Sequence, residues 1–307
     1  MTEQLKGVFS ILPTPFTANG EIDVPSLKRV IDLYIRVGVN GLTACGVMSE
    51  AARMSESERL LVMETVMQYV NNRVPVVIGT STDGLQTCIE LSKKSKSLGA
   101  AAVMISPPRL PKLNSAAVIK HFAGVAQAVD ISLIIQDFPP ISGFTMEPSL
   151  LVNIAREVPA ARTIKLEDPP TPFKTARVLE LAEGMPVKIF GGLGGTYLIE
   201  ELMAGATGAM TGFAVPEILV KVVALFHSGQ RSEAAALFYR NVALMRFEFQ
   251  ESIGMVIRKE MLKRRKAIAC EMTRAPGAAL DRSTREALDS LLTWFLQQNA
   301  ELQWTLD

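Results

Sequence analysis

The chain has 307 residues, of which 48% are apolar and 21% are charged, and this composition excludes an intrinsically disordered protein. Its length suits either one large α/β barrel or two ordinary domains. Lysine and arginine (32) nearly balance aspartate and glutamate (31), so no net charge favours nucleic acid or an anionic membrane as a partner.

Short runs rich in Val, Ile, Ala and Gly alternate with longer amphipathic stretches, a pattern that is typical of βαβ units around a parallel sheet. The predicted strands occupy residues 7–15, 41–46, 75–81, 101–107, 132–138, 162–167, 187–192 and 208–212. The predicted helices between them occupy residues 26–37, 55–72, 86–98, 115–129, 148–157, 175–183, 197–204 and 217–226. Strands and helices that alternate in this number predict a closed (β/α)8 TIM barrel rather than an open doubly wound sheet.

The sequence after the eighth predicted helix has a different pattern. Helical periodicity continues over residues 232–248, 253–267 and 283–298 without further strand signals. We therefore expect a barrel over residues 1–228 and a C-terminal helical extension over residues 229–307.

The cysteines and the first residues bear on the compartment. Cys45, Cys88 and Cys270 are far apart and form no CxxC pair, so neither a disulfide framework nor a zinc site is expected. The N-terminus lacks a basic stretch followed by an apolar run, and Lys221 interrupts a hydrophobic segment. We expect a cytoplasmic protein with no export signal and no membrane anchor.

The sixth predicted strand carries an unusual pair of side chains. Active sites of such barrels lie at the C-terminal ends of the strands, and there the alternation of a strand places Lys165 and Glu167 on the same face. Inside a barrel, lost solvation favours the free amine of a lysine, which is the nucleophile for a Schiff base, and a carboxylate can shuttle protons. Alternatively, the lysine faces outward or forms a purely structural ion pair.

A second unusual feature is the loop after the second strand. Gly46 begins this loop, and Ser55 with Glu58 predicts a capping box at the start of the next helix. Turn chemistry explains these residues without a ligand, but it does not explain why Ser49 and Glu50 stand at the C-terminal end of a strand. The loop is therefore a candidate part of the site.

Several landmarks, taken in order, make the sequence resemble the dihydrodipicolinate synthase and N-acetylneuraminate lyase family of Schiff-base barrels over nearly the whole chain. They are Leu-Pro-Thr-Pro-Phe at residues 12–16, the loop at 46–50, Ile164-Lys165, Phe-Gly-Gly at 190–192 and the glycine-rich segment 205–212. The resemblance implies that Lys165 forms an imine with pyruvate or a larger 2-oxo acid, with no metal or organic cofactor. It also implies a homotetramer assembled from dimers. The substrate-binding residues that it implies are Val47, Met48, Ser49, Gly191, Gly192 and Met210.

The sequence departs from the lysine-biosynthesis members of this family at several site positions. Those members carry Gly-Thr-Thr-Gly-Glu where this chain has residues 46–50, so two hydroxyl groups are missing. Gln136 stands where they have a catalytic tyrosine, and an amide cannot act as an acid or a base. Pro108 and Arg109 occupy the place of their second tyrosine, and their substrate-gripping arginine maps near Ile141.

The same positions resemble the branch of the family that contains L-2-keto-3-deoxyarabonate dehydratase. That branch implies dehydration of a 2-keto-3-deoxy sugar acid, with Lys165 as nucleophile, Glu167 as proton acceptor and Gln136 either orienting the substrate or serving as an ordinary buried amide. One alternative is a pyruvate-dependent aldolase or a synthase-like condensation. Another is a non-catalytic barrel that binds a 2-oxo acid.

Other residues that could carry chemistry have simpler interpretations. His121 and His227 fall on predicted outer helices and have no HxxH or HxxxH partner, so we expect them to pack rather than to bind a metal. The glycines of residues 191–195 could hold a phosphate, but the Walker pattern is absent, and we favour close approach of the backbone to the substrate. The basic run at residues 259–266 is interpreted as a solvated helix face or a subunit contact.

Overall fold

The computed structural model describes residues 5–302, in which eight parallel strands pair in chain order and the last pairs with the first. The strands are β1 (Gly7–Ile11), β2 (Gly41–Ala44), β3 (Val76–Gly79), β4 (Ala102–Ile105), β5 (Ser132–Asp137), β6 (Thr163–Leu166), β7 (Lys188–Gly191) and β8 (Gly208–Thr211). The predicted (β/α)8 TIM barrel is therefore confirmed, and the strands are shorter than predicted because their last residues form the loops of the C-terminal face.

Helices surround the barrel and continue beyond it. Those that follow the strands are α1 (Val24–Arg36), α2 (Glu56–Val70), α3 (Leu85–Ser97), α4 (Ser115–Ala128), α5 (Pro139–Ser142), α6 (Pro148–Glu157), α7 (Thr171–Ala182), α8 (Leu198–Met203) and α9 (Pro216–His227). The C-terminal extension contains α10 (Arg231–Glu248), α11 (Gly254–Arg264) and α12 (Arg282–Gln298). A C-terminal helical extension is thus confirmed, and His121 and His227 lie on α4 and α9 as expected.

Side chains at the helix starts explain several of these boundaries. The Ser55 hydroxyl accepts a hydrogen bond from the Glu58 backbone N–H at 3.3 Å, and the Glu58 carboxylate accepts one from the Ser55 N–H at 2.8 Å. This confirms the predicted capping box at α2. Asp23, Asn114 and Asp281 accept equivalent bonds at the starts of α1, α4 and α12.

The interior of the barrel is filled by apolar side chains. The buried cluster inside the strands consists of Leu5, Phe9, Val77, Ala102, Met104, Ile134, Phe190 and Met210. Phe9 and Phe190 meet edge to face, with ring centroids 5.5 Å apart. Because the barrel is a packed core and not a pore, polar chemistry is confined to the C-terminal ends of the strands and the loops that follow them.

The C-terminal extension shares its core with the barrel. Leu288, Leu292 and Phe295 of α12 are fully buried, and they belong to one continuous apolar cluster with side chains of α1, α2, α9 and α10. The extension is therefore packed onto the barrel, and some of its residues line a cavity together with loops of the C-terminal face.

Within residues 5–302, none of the helices is both long enough and apolar enough to cross a bilayer.

Candidate functional site

Lys165 and Glu167 meet at the C-terminal end of β6. Lys165 is the third residue of the strand and is 2% exposed, and its Nζ lies 2.8 Å from Oε2 of Glu167. The Glu167 backbone N–H donates to the Asp137 carbonyl at 2.9 Å, so β6 stays paired with β5 up to this residue. The predicted placement of both side chains on one face is present, and an amine lies within proton-transfer distance of a carboxylate.

Gln136 and Ser106 extend this pair into a hydrogen-bonded chain across three strands. The Gln136 amide nitrogen donates to Oε2 of Glu167 at 2.9 Å, and the Ser106 hydroxyl donates to the Gln136 amide oxygen at 3.1 Å. Ser106 fixes the orientation of the amide, because its donor occupies the carbonyl oxygen and leaves the NH2 group for Glu167. Glu167 Oε2 thus accepts from an amine and from a group that cannot take a proton.

The loop after β2 places two unpaired backbone amides above the barrel. Val47, Met48 and Ser49 form a single 3-10 turn, and within residues 5–302 the N–H groups of Val47 and Met48 have no protein acceptor. Ser49 behaves differently: its hydroxyl donates to the Leu12 carbonyl at 2.6 Å, and its own carbonyl accepts from Thr14 at 2.6 Å. The amides of Val47 and Met48 are therefore left without a protein partner among the described residues, and both residues line a cavity above the strands, while Ser49 joins the loop to the segment after β1.

Gly191, the last residue of β7, and Gly192, which follows it, leave space for different carboxylates. A Cβ atom on Gly192 would lie 2.3 Å from Cγ of Glu167, and one on Gly191 would lie 1.7 Å from Oε2 of Glu201. Gly192 thus makes room for the Glu167 side chain, whereas the approach of this loop to a substrate stays a prediction. Met210, which was predicted to bind the substrate, is fully buried in the packed interior of the barrel. It lines neither of the two cavities above the strands.

Two adjoining cavities open above these residues. One of about 300 Å³ lies over the ends of β2 to β5 and is lined by Ser106 and Gln136. The other, of about 520 Å³, is lined by Glu167, by loops that follow β5, β6 and β7, and by the extension. The residues that line both cavities are Val47, Arg53, Ile141 and Met255. Gln136 lines the smaller cavity and Glu167 lines the larger one, and the hydrogen bond between these two side chains links the two cavities. Lys165 lines neither cavity and lies behind Glu167, to which it is bound.

A buried charge cluster supports the ends of β5 and β6 from outside the barrel. Lys174 of α7 lies 2.7 Å from Asp137 and 2.7 Å from Asp168. Burial raises the pKa of Asp137 to about 6, although the Lys174 ammonium beside it acts in the opposite direction. The cluster fixes the segment around Glu167 against α7, so it positions the site without contacting the cavities.

Two further buried carboxyl groups, those of Glu201 and Glu248, lie near the site. Burial raises the pKa of Glu201 to about 7; its Oε1 accepts from the Thr171 hydroxyl at 2.6 Å, and its Oε2 has no partner within residues 5–302. Burial also raises the pKa of Glu248 to about 7, while Arg258 at 2.6 Å and the Ala214 N–H at 2.9 Å favour its anion. Glu248 lines the larger cavity.

Ser106, Lys174, Glu201 and Glu248 were not predicted as parts of this site. Ser106 directly follows the fourth strand, and this position at the C-terminal face was a usable signal. Lys174, Glu201 and Glu248 lie on the buried faces of helices. The apolar periodicity of a helix predicts apolar side chains on that face and gives no signal for a buried charged one. Within the described part of the chain, no three His, Cys, Asp or Glu side chains converge as a metal-binding group.

Comparisons with known proteins agree with this fold and identify the family. The sequence model of the dihydrodipicolinate synthetase family matches residues 4–294. L-2-keto-3-deoxyarabonate dehydratase of Azospirillum brasilense is 31% identical over 293 residues, covering 94% of this chain and 93% of the relative. 4-hydroxy-tetrahydrodipicolinate synthase of Pelobacter propionicus is 29% identical, covering 94% and 97%. The crystal structure of dihydrodipicolinate synthase from Rhodopseudomonas palustris superposes with a TM-score of 0.90 at 34% identity, covering 96% and 99%.

Proposed function

The chain belongs to the dihydrodipicolinate synthetase family, and on that premise we propose that it is a Schiff-base lyase that dehydrates a 2-keto-3-deoxy sugar acid of the L-2-keto-3-deoxyarabonate type. Membership of the family supports the assignment of the chain as a lyase. The dehydration reaction and the identity of the substrate are our proposal. One observation carries it: the carboxylate beside Lys165 is shared with Gln136, an amide, and not with a phenol.

In the first step, the amine of Lys165 attacks the C2 carbonyl of the oxo acid. The ammonium must first lose a proton, and Oε2 of Glu167, 2.8 Å from Nζ, is placed to accept it. The unpaired amides of Val47 and Met48 are available for the substrate carboxylate. Loss of the C2 oxygen as water leaves an iminium that acidifies the protons on C3.

In the second step, Glu167 removes a proton from C3 and forms an enamine. The enamine expels the C4 hydroxyl, which takes up the proton from Glu167 and departs as water. A proton then moves from C5 to C3 and leaves an enol over C4 and C5, and the transfer of the enol hydroxyl proton to C4 gives the aldehyde. Hydrolysis of the imine regenerates Lys165 and releases a 2-oxo acid semialdehyde. The net change is the loss of one water from the sugar acid, so no redox partner is required.

Gln136 favours this outcome over cleavage of a carbon-carbon bond. Retro-aldol cleavage requires a base that removes the proton of the C4 hydroxyl, and an amide cannot serve as that base. Dehydration instead requires this hydroxyl to leave as water, and Gln136 can orient it or Glu167 by hydrogen bonding. The amide is held for this task by its bond from Ser106 at 3.1 Å.

A second candidate function keeps the imine and condenses pyruvate with an aldehyde. The similarity to the synthase of Pelobacter propionicus favours it. Ile141 disfavours a partner with a second carboxylate, because this apolar side chain lines both cavities where the sequence comparison with synthases expects an arginine.

Product analysis separates these two functions. We expect L-2-keto-3-deoxyarabonate to be converted to the 2-oxo acid semialdehyde without release of pyruvate, measured by chromatography after derivatisation of the carbonyl groups. The same assay is run on the D-epimer and on six-carbon 2-keto-3-deoxy acids, because stereochemistry and chain length vary within this substrate class. Release of pyruvate from any of these acids would overturn the dehydratase proposal in favour of an aldolase.

A further inference from the structure

Glu50 is a fully buried carboxylate in the loop that presents the amides of Val47 and Met48. Its side chain is 0% exposed, and its backbone has a left-handed conformation with φ 59° and ψ 30°. A residue with a Cβ atom adopts this conformation at a cost of about 1 kcal/mol, so other contacts must hold it. The imine chemistry described above gives Glu50 no role.

Three donors converge on this carboxylate, one from the same loop and two from the C-terminal extension. Oε1 accepts from Lys259 Nζ of α11 at 2.5 Å. Oε2 accepts from Arg53 Nη1 at 3.0 Å and from the Arg274 backbone N–H at 2.9 Å. Lys259 also donates to the Met272 carbonyl at 2.8 Å. Although Glu50 borders the smaller cavity, its oxygens are occupied by these donors and are not available to act as a base or to contact a ligand.

The same cluster joins the loop after β1 and the start of α2 to the C-terminal extension. Lys259 Nζ and the Arg274 guanidinium lie 4.5 Å and 4.4 Å from the centroid of the Phe16 ring, within the range of cation–π contacts. Arg274 also binds the Glu58 carboxylate at 2.6 Å and 2.7 Å. The extension is therefore attached to the loop after β2 by charged groups and not only by apolar packing.

The energetics of such a cluster favour one fixed geometry. A buried ion pair contributes little net stability, but removal of one partner leaves an unpaired charge and is strongly unfavourable. Burial lowers the pKa of Lys259, and the adjacent Glu50 carboxylate opposes that shift. The ammonium and the carboxylate thus depend on each other, and small displacements of the loop would lengthen their contact.

We propose that Glu50 is a positioning residue through which the C-terminal extension holds residues 47–49 in the geometry that binds the substrate carboxylate. The inference rests on the proposed function, since it assumes that Val47 and Met48 receive this carboxylate. Lys165 and Glu167 share no direct contact with the cluster and are held by their own strand and by Gln136. Disturbance of Glu50 therefore weakens binding of the oxo acid and leaves imine formation at saturation intact.

The test measures how much pyruvate is needed for borohydride to trap half of the protein, together with the trapped fraction at saturation. For Glu50→Gln we expect the half-saturating concentration to rise about tenfold, as for one lost hydrogen bond between charged groups. The trapped fraction at saturation stays within about twofold of the wild type, since the imine-forming pair is untouched. Glu64→Gln is the matched control, because Glu64 binds Lys94 at 2.6 Å in an exposed pair and should change neither quantity.

A double variant separates the charge pairing from general loss of structure. Glu50→Gln leaves the Lys259 ammonium unpaired, whereas Glu50→Gln with Lys259→Met removes both charges and should fold even if the single variant does not. We expect the double variant to show the raised half-saturating concentration with a normal trapped fraction. Glu50→Asp, which keeps the charge on a shorter side chain, should show a smaller rise.

The proposal is overturned if the folded variants keep the half-saturating concentration of the wild type. It is also overturned if they lose the trapped fraction at saturation, because that result would place Glu50 in the imine chemistry or in folding alone. Failure of the proposed function gives a different result. In that case the wild type itself is not trapped by pyruvate or by a 2-keto-3-deoxy sugar acid.

Discussion

The Oε2 atom of Glu167 accepts hydrogen bonds from both Lys165 and Gln136, and the proposed mechanism uses this shared acceptor in every proton transfer. In that proposal the carboxylate takes the proton of the ammonium before attack and gives it to the departing C2 oxygen, so that it is free to take a C3 proton and to return that proton to the leaving hydroxyl. Gln136 can hold the carboxylate through these changes because an amide donates without titrating.

Gln136→Glu tests this division of roles through the pH dependence of product formation. It would place a second carboxyl group within hydrogen-bond distance of Glu167, and two carboxylates in such contact do not both ionise, so one apparent pKa rises. We expect the acid limb of the rate profile to move to higher pH by about one unit or more. Ser106→Ala is the control, because it should slow the reaction without shifting the profile. An unchanged profile for Gln136→Glu would contradict the role given to Glu167.

The pairing of Lys165 with Glu167 could be predicted because it depends only on the alternation of one strand. Partners that come together when the barrel closes could not be predicted in this way. Glu50 and Lys259 are 209 residues apart, and no periodicity of either segment indicates that their side chains meet. Period-2 alternation assigns a side chain to a face, but the neighbours on that face depend on loop geometry.

At the scale of elements, the end of β7 separates two carboxyl groups that serve different purposes. Gly192→Ala should displace Glu167, because the new methyl group would lie 2.3 Å from its Cγ. We expect product formation to fall about a hundredfold, since a displacement of about 1 Å in a catalytic group has this effect, in addition to the stability cost of overpacking of about 1–3 kcal/mol.

Gly191→Ala is the matched variant one residue earlier. Its methyl group would lie 1.7 Å from the buried Glu201 carboxylate and not near Glu167. Overpacking of this kind costs about 1–3 kcal/mol of the free energy of unfolding, measured by urea denaturation. If both alanine variants changed activity and stability alike, the separate roles of the two glycines would be wrong.

The Glu201 carboxyl, between α7 and α8, should make stability depend on pH. Its pKa is raised from an ordinary 4.5 to about 7 by burial, so the folded state retains a proton that the unfolded state has released. Stability from this group is complete below about pH 4.5 and is lost as the pH rises through about 7.

Glu201→Gln removes that dependence and retains an acceptor for the Thr171 hydroxyl. The free energy of unfolding of the variant, relative to that of the wild type, should therefore increase between about pH 4.5 and about pH 8 by at most about 3 kcal/mol. Urea denaturation at both pH values checks this. An equal difference at the two values would show that Glu201 is ionised in the folded protein.

Element boundaries show where sequence patterns were insufficient. A helix was predicted from residue 175, but α7 begins at Thr171, with Pro172 in its first turn. Proline is compatible with the first turn because the backbone N–H that it lacks has no acceptor there. The short α5, which also begins at a proline, Pro139, was not predicted.

At the scale of the whole molecule, the barrel and the extension are joined by one apolar cluster and by the contacts of Glu50. They should therefore unfold together. Both tryptophans, Trp294 and Trp304, lie near the C-terminus, so fluorescence reports on the extension while far-UV circular dichroism reports on all helices. We expect the two urea transitions to coincide, as for a two-state protein. An earlier fluorescence transition would show that the extension is an independent unit.

The proposed function depends on a covalent bond between Lys165 and a 2-oxo acid. Its most direct test is borohydride reduction in the presence of pyruvate or L-2-keto-3-deoxyarabonate, followed by peptide mass spectrometry, with Lys165→Arg as the control. We predict one reduced adduct per chain, located on Lys165 and absent from the variant. Absence of an adduct with every 2-oxo acid, or an adduct on another lysine, would contradict the account.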